Sequence, residues 1–143
     1  IGYPYGTFLS SGLIPQSKST KGIVSSLQGP NNFYNWFQMD ASIQPGNSGG
    51  PIIDEDGYLK GITVASADYK VIFEAFENIP QNINYGIKVD ILKNILEANE
   101  IEYELNEDAS IFNFLFKNNK EEIIKNADKS TVYIECWAKD ITE

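Results

Sequence analysis

Ser48 lies among Gly46, Gly49 and Gly50 in the string Gln44-Pro45-Gly46-Asn47-Ser48-Gly49-Gly50-Pro51. Glycine lacks a Cβ, tolerates φ > 0 and lets backbone N–H groups converge on one point. An exposed hydroxyl beside converging N–H groups suits acyl transfer, because the amides can hold the negative oxygen that develops in the transition state. The spacing is G-x-S-x-G, which also occurs as a tight turn bearing a solvated serine, so the short motif alone leaves both readings open.

A serine hydroxyl is a weak nucleophile until a neighbouring base takes its proton. In the Ser-His-Asp arrangement that base is imidazole, and this sequence contains no histidine. These 143 residues therefore cannot assemble that triad alone. Lys18 and Lys21 are the amines to weigh as substitutes, but a lysine must be desolvated to act as a base, and both stand in polar sequence.

The elements around the serine separate two nucleophile architectures. In α/β-hydrolases a G-x-S-x-G elbow turns from a strand into a helix. Here Pro51 and the β-branched Ile52-Ile53 follow, and then Asp56-Gly57, a hairpin signal. Strand-turn-strand contradicts the elbow. The longer run from Met39 to Ile52, Met-Asp-Ala-Ser-Ile-Gln-Pro-Gly-Asn-Ser-Gly-Gly-Pro-Ile, resembles the nucleophile segment of trypsin-like serine proteases, in particular the HtrA/Deg branch.

The likeness extends beyond that segment. Ile1-Gly2-Tyr3-Pro4-Tyr5-Gly6 is similar to the I-G-x-P-x-G run that opens the second barrel in that branch, and Lys21–Leu27 is similar to its S-G-I-V-S strand. Gly86-Ile87-Lys88-Val89 followed by a helix is a looser match to its closing G-x-A-I-P segment and helix. The resemblance covers about residues 1–100 and implies a mostly β fold. It would be one antiparallel Greek-key barrel of the two-barrel trypsin-like fold, of roughly six strands, with a helix after it.

The same resemblance implies roles for particular residues. Ser48 would be the nucleophile of a serine endopeptidase, with the N–H groups of Gly46 and Ser48 as oxyanion hole. Ser42 and Ile43 would line the primary specificity pocket, and Val64, Ala65 and Ser66 would belong to the strand that pairs with a substrate backbone. Strand addition of that kind gives affinity through main-chain hydrogen bonds. A pocket with no charge should favour small or medium apolar side chains, since an unpaired buried cation is expensive. The implied partners are a polypeptide substrate and the missing N-terminal barrel that carries His and Asp; no cofactor or metal is implied, and the setting is periplasmic or extracytoplasmic. The alternative is a non-catalytic protease-like module that binds peptides or assembles with partners.

Outside the serine segment the chain reads as short strands and turns. Gln28–Asn32 is turn chemistry, Phe33–Met39 an aromatic strand, and Asp54-Glu55-Asp56-Gly57 a hairpin turn that lacks the closing ligands of a calcium loop. Residues 7–20 and 68–82 read as loops, and Ile83–Val89 as a strand. Asp90 is the expected N-cap of a helix through about Ala98, with Ile91, Leu92, Ile95 and Leu96 on its apolar face.

Residues 101–143 form a C-terminal extension with no counterpart in that barrel, expected as a small α/β tail. Ile101–Leu105 alternates like a strand. Helical faces follow at Ile111–Phe116 and at Ile123-Ile124, the latter ending near Asn126. Thr131–Trp137 is either a closing strand on this barrel or the opening strand of a further module.

Composition bounds the partners. The net charge is −9 and every basic residue is lysine, which argues against nucleic acid and anionic membrane surfaces. No apolar run approaches a membrane span and no signal-peptide pattern opens the chain. Cys136 is the sole cysteine, so it cannot form an internal disulfide. The chain begins Ile-Gly and its only methionine is Met39, which leads us to expect a longer parent. A barrel without its companion would expose an apolar face and invite a partner, including a second copy of itself.

Overall fold

A computed structural model describes residues 1–5, 15–66, 74, 77, 82–105 and 119–134. Five strands, β1 (Val24–Ser26), β2 (Trp36–Met39), β3 (Pro51–Ile53), β4 (Leu59–Ser66) and β5 (Asn84–Lys88), precede the helices α1 (Val89–Ala98) and α2 (Lys120–Lys129). The strands form one sheet in the order β1-β2-β5-β4-β3, each pair antiparallel. β3, β4 and β5 follow one another as a meander, and β2 returns beside β5. That order is a Greek key.

The N-terminal run extends the sheet past its β3 edge. Ile1 N donates to Pro51 O at 3.1 Å, and Gly2 forms an isolated antiparallel bridge with Lys18. At the other end Asp40 N donates to Ile23 O, and Asp40 Oδ1 accepts from Ile23 N at 2.7 Å.

Alternation along β2 sends Phe37 and Met39 inward, and these are the buried apolar side chains among the described residues. The Phe37 ring lies against Gly86 on the adjacent β5 and Gly61 on β4 beyond it; a Cβ on Gly86 would come within 2.7 Å of Phe37 Cζ. The Asp54–Gly57 turn joins β3 to β4 as expected. Gly57 takes φ 91°, and Asp54 Oδ1 accepts from the N–H groups of Asp56 and Tyr58 at 3.0 and 2.9 Å.

Helix α1 departs from its sequence reading at the start. Lys88, extended and without a side-chain cap, is the N-cap, and Asp90 falls in the first turn. The cause is that β5 runs straight into the helix, with Lys88 N held by Asn35 O at 2.9 Å. Asp90 still favours the helix by meeting the positive end of its dipole. At the other end Glu100 adopts φ 55°, Glu100 N donates to Glu97 O and Ile101 N to Leu96 O, which is a Schellman closure.

That closure explains why residues 101–105 form no strand, contrary to their alternation. The Ile101 N–H is committed to the helix, and Tyr103 Oη donates back to Glu97 Oε1 at 2.6 Å. Helix α2 continues to Lys129, beyond the expected end near Asn126, with Asn119 as its N-cap. Residues 131–134 are not a strand either. Thr131 N donates to Asp128 O and its Oγ1 to Ala127 O, so this segment's first polar groups close α2 instead of a sheet edge. The helix expected at 111–116, the end of the strand expected at 131–137 and most of the two long loops lie outside the described residues.

Candidate active site

The Ser48 turn connects residue 44 to β3 and rests on β4. Gly46 and Gly49 take φ 95° and 84°, a region that favours glycine. Gly49 N donates to Thr63 O at 2.8 Å, and Thr63 N to Gly50 O at 2.9 Å, so the buried Thr63 holds the backbone on either side of the Gly49–Gly50 peptide. Asn47 N donates to Gln44 O and Gly50 N to Asn47 O, closing two tight turns in succession. From the N-terminal side, Tyr3 N donates to Gly46 O at 3.3 Å and Tyr5 N to Pro45 O at 2.7 Å.

These bonds leave a specific remainder. The N–H groups of Asn47, Gly49 and Gly50 all have carbonyl partners, whereas those of Gly46 and Ser48 have none among the described residues. The Asn47 side chain is buried between them, and the Ser48 side chain faces solvent. One backbone thus presents an exposed hydroxyl with two uncommitted donors, at residues 46 and 48. Ser48 Oγ donates to Val64 O at 2.9 Å.

Of the other residues read from the sequence, Val64 meets the serine through its carbonyl. Ala65 and Ser66 stand on β4 in register with Tyr85 and Asn84, and their side chains lie outside the description. Ser42 Oγ donates to Asn82 Oδ1 at 3.4 Å, and Ile43 is half-buried. Asn84, wholly buried, donates through Nδ2 to Ala41 O at 2.9 Å and braces the start of this loop.

Ser48 also borders a cavity of about 690 Å³. Neither Ser42, Ile43 nor Val64 lines it; its far side comes from α2 and residues 130–134. Sequence reading missed this wall, and it missed Tyr3 and Thr63 as braces. Contacts spanning 128 residues, such as Tyr3 Oη to Thr131 O at 3.1 Å, leave no local signature.

Among the described residues no Asp, Glu or Lys lines the cavity; its ionisable side chains are the phenols of Tyr3 and Tyr133. Lys21 is exposed and paired with Glu55 at 2.8 Å. The Glu55 hydrogen bond, with its charge, raises the Lys21 pKa, the opposite of what a general base needs. Among the described residues no group of three His, Cys, Asp or Glu is placed to hold a metal ion, and no helix is long and apolar enough to cross a membrane.

Residues 1–62, which hold the whole Ser48 turn and its N-terminal brace, match the trypsin-like peptidase domain. The segment is trypsin-like, of the HtrA branch. The serine endoprotease DegS of Haemophilus influenzae is 37% identical over 98 residues, which is 67% of this chain and 26% of that protein. The HtrA-like serine protease of Staphylococcus aureus is 32% identical over 95 residues, 59% of this chain and 12% of that protein. An uncharacterised protein of Sinorhizobium fredii is 37% identical over 88 residues, 62% of this chain and 13% of its own length. The chain therefore spans between about an eighth and a quarter of these relatives. Its Greek-key sheet with a helix following is consistent with one trypsin-like β-barrel.

Proposed function

We propose that this chain carries the nucleophile and the oxyanion donors of a serine-type endopeptidase. Ser48 Oγ attacks the carbonyl carbon of a peptide bond, forming the acyl–oxygen bond as the C–N bond breaks. The Gly46 and Ser48 N–H groups hold the oxyanion. A His, oriented by an Asp, takes the hydroxyl proton and returns it to the leaving amine; water then releases the acyl group by the same route. Both residues come from polypeptide outside these 143 residues, in a companion N-terminal barrel. The observation that carries this reading is the pair of uncommitted N–H groups on either side of Asn47, in a turn whose other amides are bonded. Ser42, Ile43 and the β4 residues Val64–Ser66 are the matching substrate contacts.

The isolated chain is inactive on this reading, because it contains no histidine and the partner of its hydroxyl among the described residues is the Val64 carbonyl. A serine-directed phosphonate probe tests it. Labelling at Ser48 is expected to be slow for the isolated chain and faster by on the order of 10⁴-fold or more in a longer polypeptide that supplies the base. Fast stoichiometric labelling of the isolated chain would show that no external base is needed. Failure to label Ser48 in the longer polypeptide would remove the nucleophile assignment.

The resting Ser48–Val64 hydrogen bond also suits a non-catalytic module that binds peptides along β4. An upstream sequence without a T-x-x-H-like and a D-x-A-like segment decides for that module.

A further inference from the structure

The cavity beside Ser48 has two walls of different origin. One is the serine turn with β3 and β4, including Gly46, Ser48, Ile53 and Ile62. The other is the C-terminal segment, from Ile123 on α2 to Val132, Tyr133 and Ile134. Two contacts of Tyr3 tie the walls together: Oη donates to Thr131 O at 3.1 Å, and the ring meets that of Tyr133 at 5.7 Å between centroids. Tyr3 N also holds Gly46 O, so one residue touches both the serine turn and the far wall.

The lining settles what chemistry fits. Among the described residues no Asp, Glu or Lys contributes to it, although the chain as a whole carries a net charge of −9. A charged side chain entering this space would lose water and find no counter-ion, which is costly. The apolar side chains on the C-terminal wall are not used up by packing. Val132 is 72% exposed and Ile134 is 78% exposed, surface that is stabilised by covering it with another apolar group. At about 690 Å³ the cavity falls in the range of ligand sites, roughly 300–1,000 Å³, and Ser48 is one of the residues that border it.

We propose that residues 123–134 are the far wall of a second substrate subsite, which takes an apolar side chain of an extended peptide beside the bond at Ser48. This site is separate from the pocket assigned to Ser42 and Ile43, and it makes Val132 and Ile134 specificity-determining residues. The inference rests on the reading of Ser48 as the reacting residue, which a separate readout keeps distinguishable.

The test titrates the 143-residue chain with capped hexapeptides that differ at one position, carrying Leu, Ala, Lys or Asp. It follows the amide resonances of Gly46 and Ser48 and the methyl resonances of Val132, Ile134 and Ile53. The Leu peptide is expected to move both sets together and to bind roughly ten-fold or more tighter than the Lys and Asp peptides, the scale of discrimination an apolar pocket gives. Ile134→Asp should abolish that preference, and the milder Val132→Ala should reduce it several-fold, with the Gly46 and Ser48 amides of the free chain unmoved. Shifts at Gly46 and Ser48 without shifts at Val132 and Ile134 would overturn the wall while leaving the Ser48 site standing. Methyl shifts alone, with no response at Gly46 or Ser48, would separate the cavity from the reacting serine and equally overturn the proposal. So would methyl broadening that tracks protein concentration but not peptide, since a second copy would then be the occupant.

Discussion

The backbone N–H of Tyr3 donates to the carbonyl of Gly46 at 3.3 Å, and this fixes which way the 46–47 peptide faces. With that carbonyl turned toward Tyr3, Asn47 N bonds to Gln44 O and the Gly46 N–H stays uncommitted among the described residues. The arrangement needs glycine twice over: φ is 95°, and a Cβ would run into the Tyr3 carbonyl. Gly46→Ala is expected to cost about 1–3 kcal/mol of stability. Urea unfolding followed by tryptophan fluorescence measures it, and a loss below about 0.5 kcal/mol would mean that the turn relaxes freely.

Asn84 makes a comparable demand from the sheet. Its side chain is wholly buried, Nδ2 serves Ala41 O, and Oδ1 has no partner among the described residues. Asn84→Ala would leave the Ala41 carbonyl unpaired, at a cost of about 1–3 kcal/mol. Asn84→Asp should cost more, because it buries a charge. Hydrogen exchange should rise first at residues 41–46, the run that Asn84 braces. Equal losses for the two variants would contradict the burial argument.

The hairpin at Asp54–Gly57 and the strand-turn-strand frame of Ser48 could be read from sequence because their chemistry is local. Gly57 supplies its own positive φ, and Asp54 bonds to groups two and four residues on. The glycine-dependent bend around Ser48 is local in the same way, with Gly46 and Gly49 supplying their own positive φ. Residues 101–105 could not be read that way: their alternation is that of a strand, but the N–H that would begin a ladder closes α1. Asp90 has the chemistry of a cap, yet the strand before it already ends at Lys88 and the helix begins at Val89, so Lys88 takes that role and Asp90 falls in the first turn. The C-terminal wall depends on Tyr3 meeting Thr131 and Tyr133, pairings that neither spacing nor period encodes.

Tyr3→Phe isolates that long-range tie. It keeps the ring contact with Tyr133 and the backbone bond to Gly46, and removes only the hydroxyl bond to Thr131 O. The expected loss is about 0.5–1.5 kcal/mol and it should be local. Amides of 120–134 should exchange faster while those pairing β4 with β5 keep their protection. A uniform change across both regions would show that the C-terminal segment is no separate unit.

Asp54 gives the chain a pH-dependent element away from the site. Burial, the largest single influence, pushes its pKa up. The N–H bond from Tyr58, the Lys60 ammonium at 3.0 Å and the N–H bond from Asp56 together outweigh it, and the net shift is downward. A carboxyl whose folded pKa lies below its unfolded value of about 3.9 stabilises the fold above that value. The contribution is lost as pH falls through the folded pKa. Asp54→Asn keeps an acceptor for both N–H groups but loses the attraction to Lys60, so its cost at pH 7 should be about 0.5–1 kcal/mol. Asp54→Ala also loses the turn acceptor and should cost about 1–2 kcal/mol. Urea unfolding from pH 7 to pH 2 should bring wild type and Asp54→Asn together in the acid range, while Asp54→Ala stays below both. A gap between wild type and Asp54→Asn that holds constant to pH 2 would show that the carboxylate charge has no part in holding this turn.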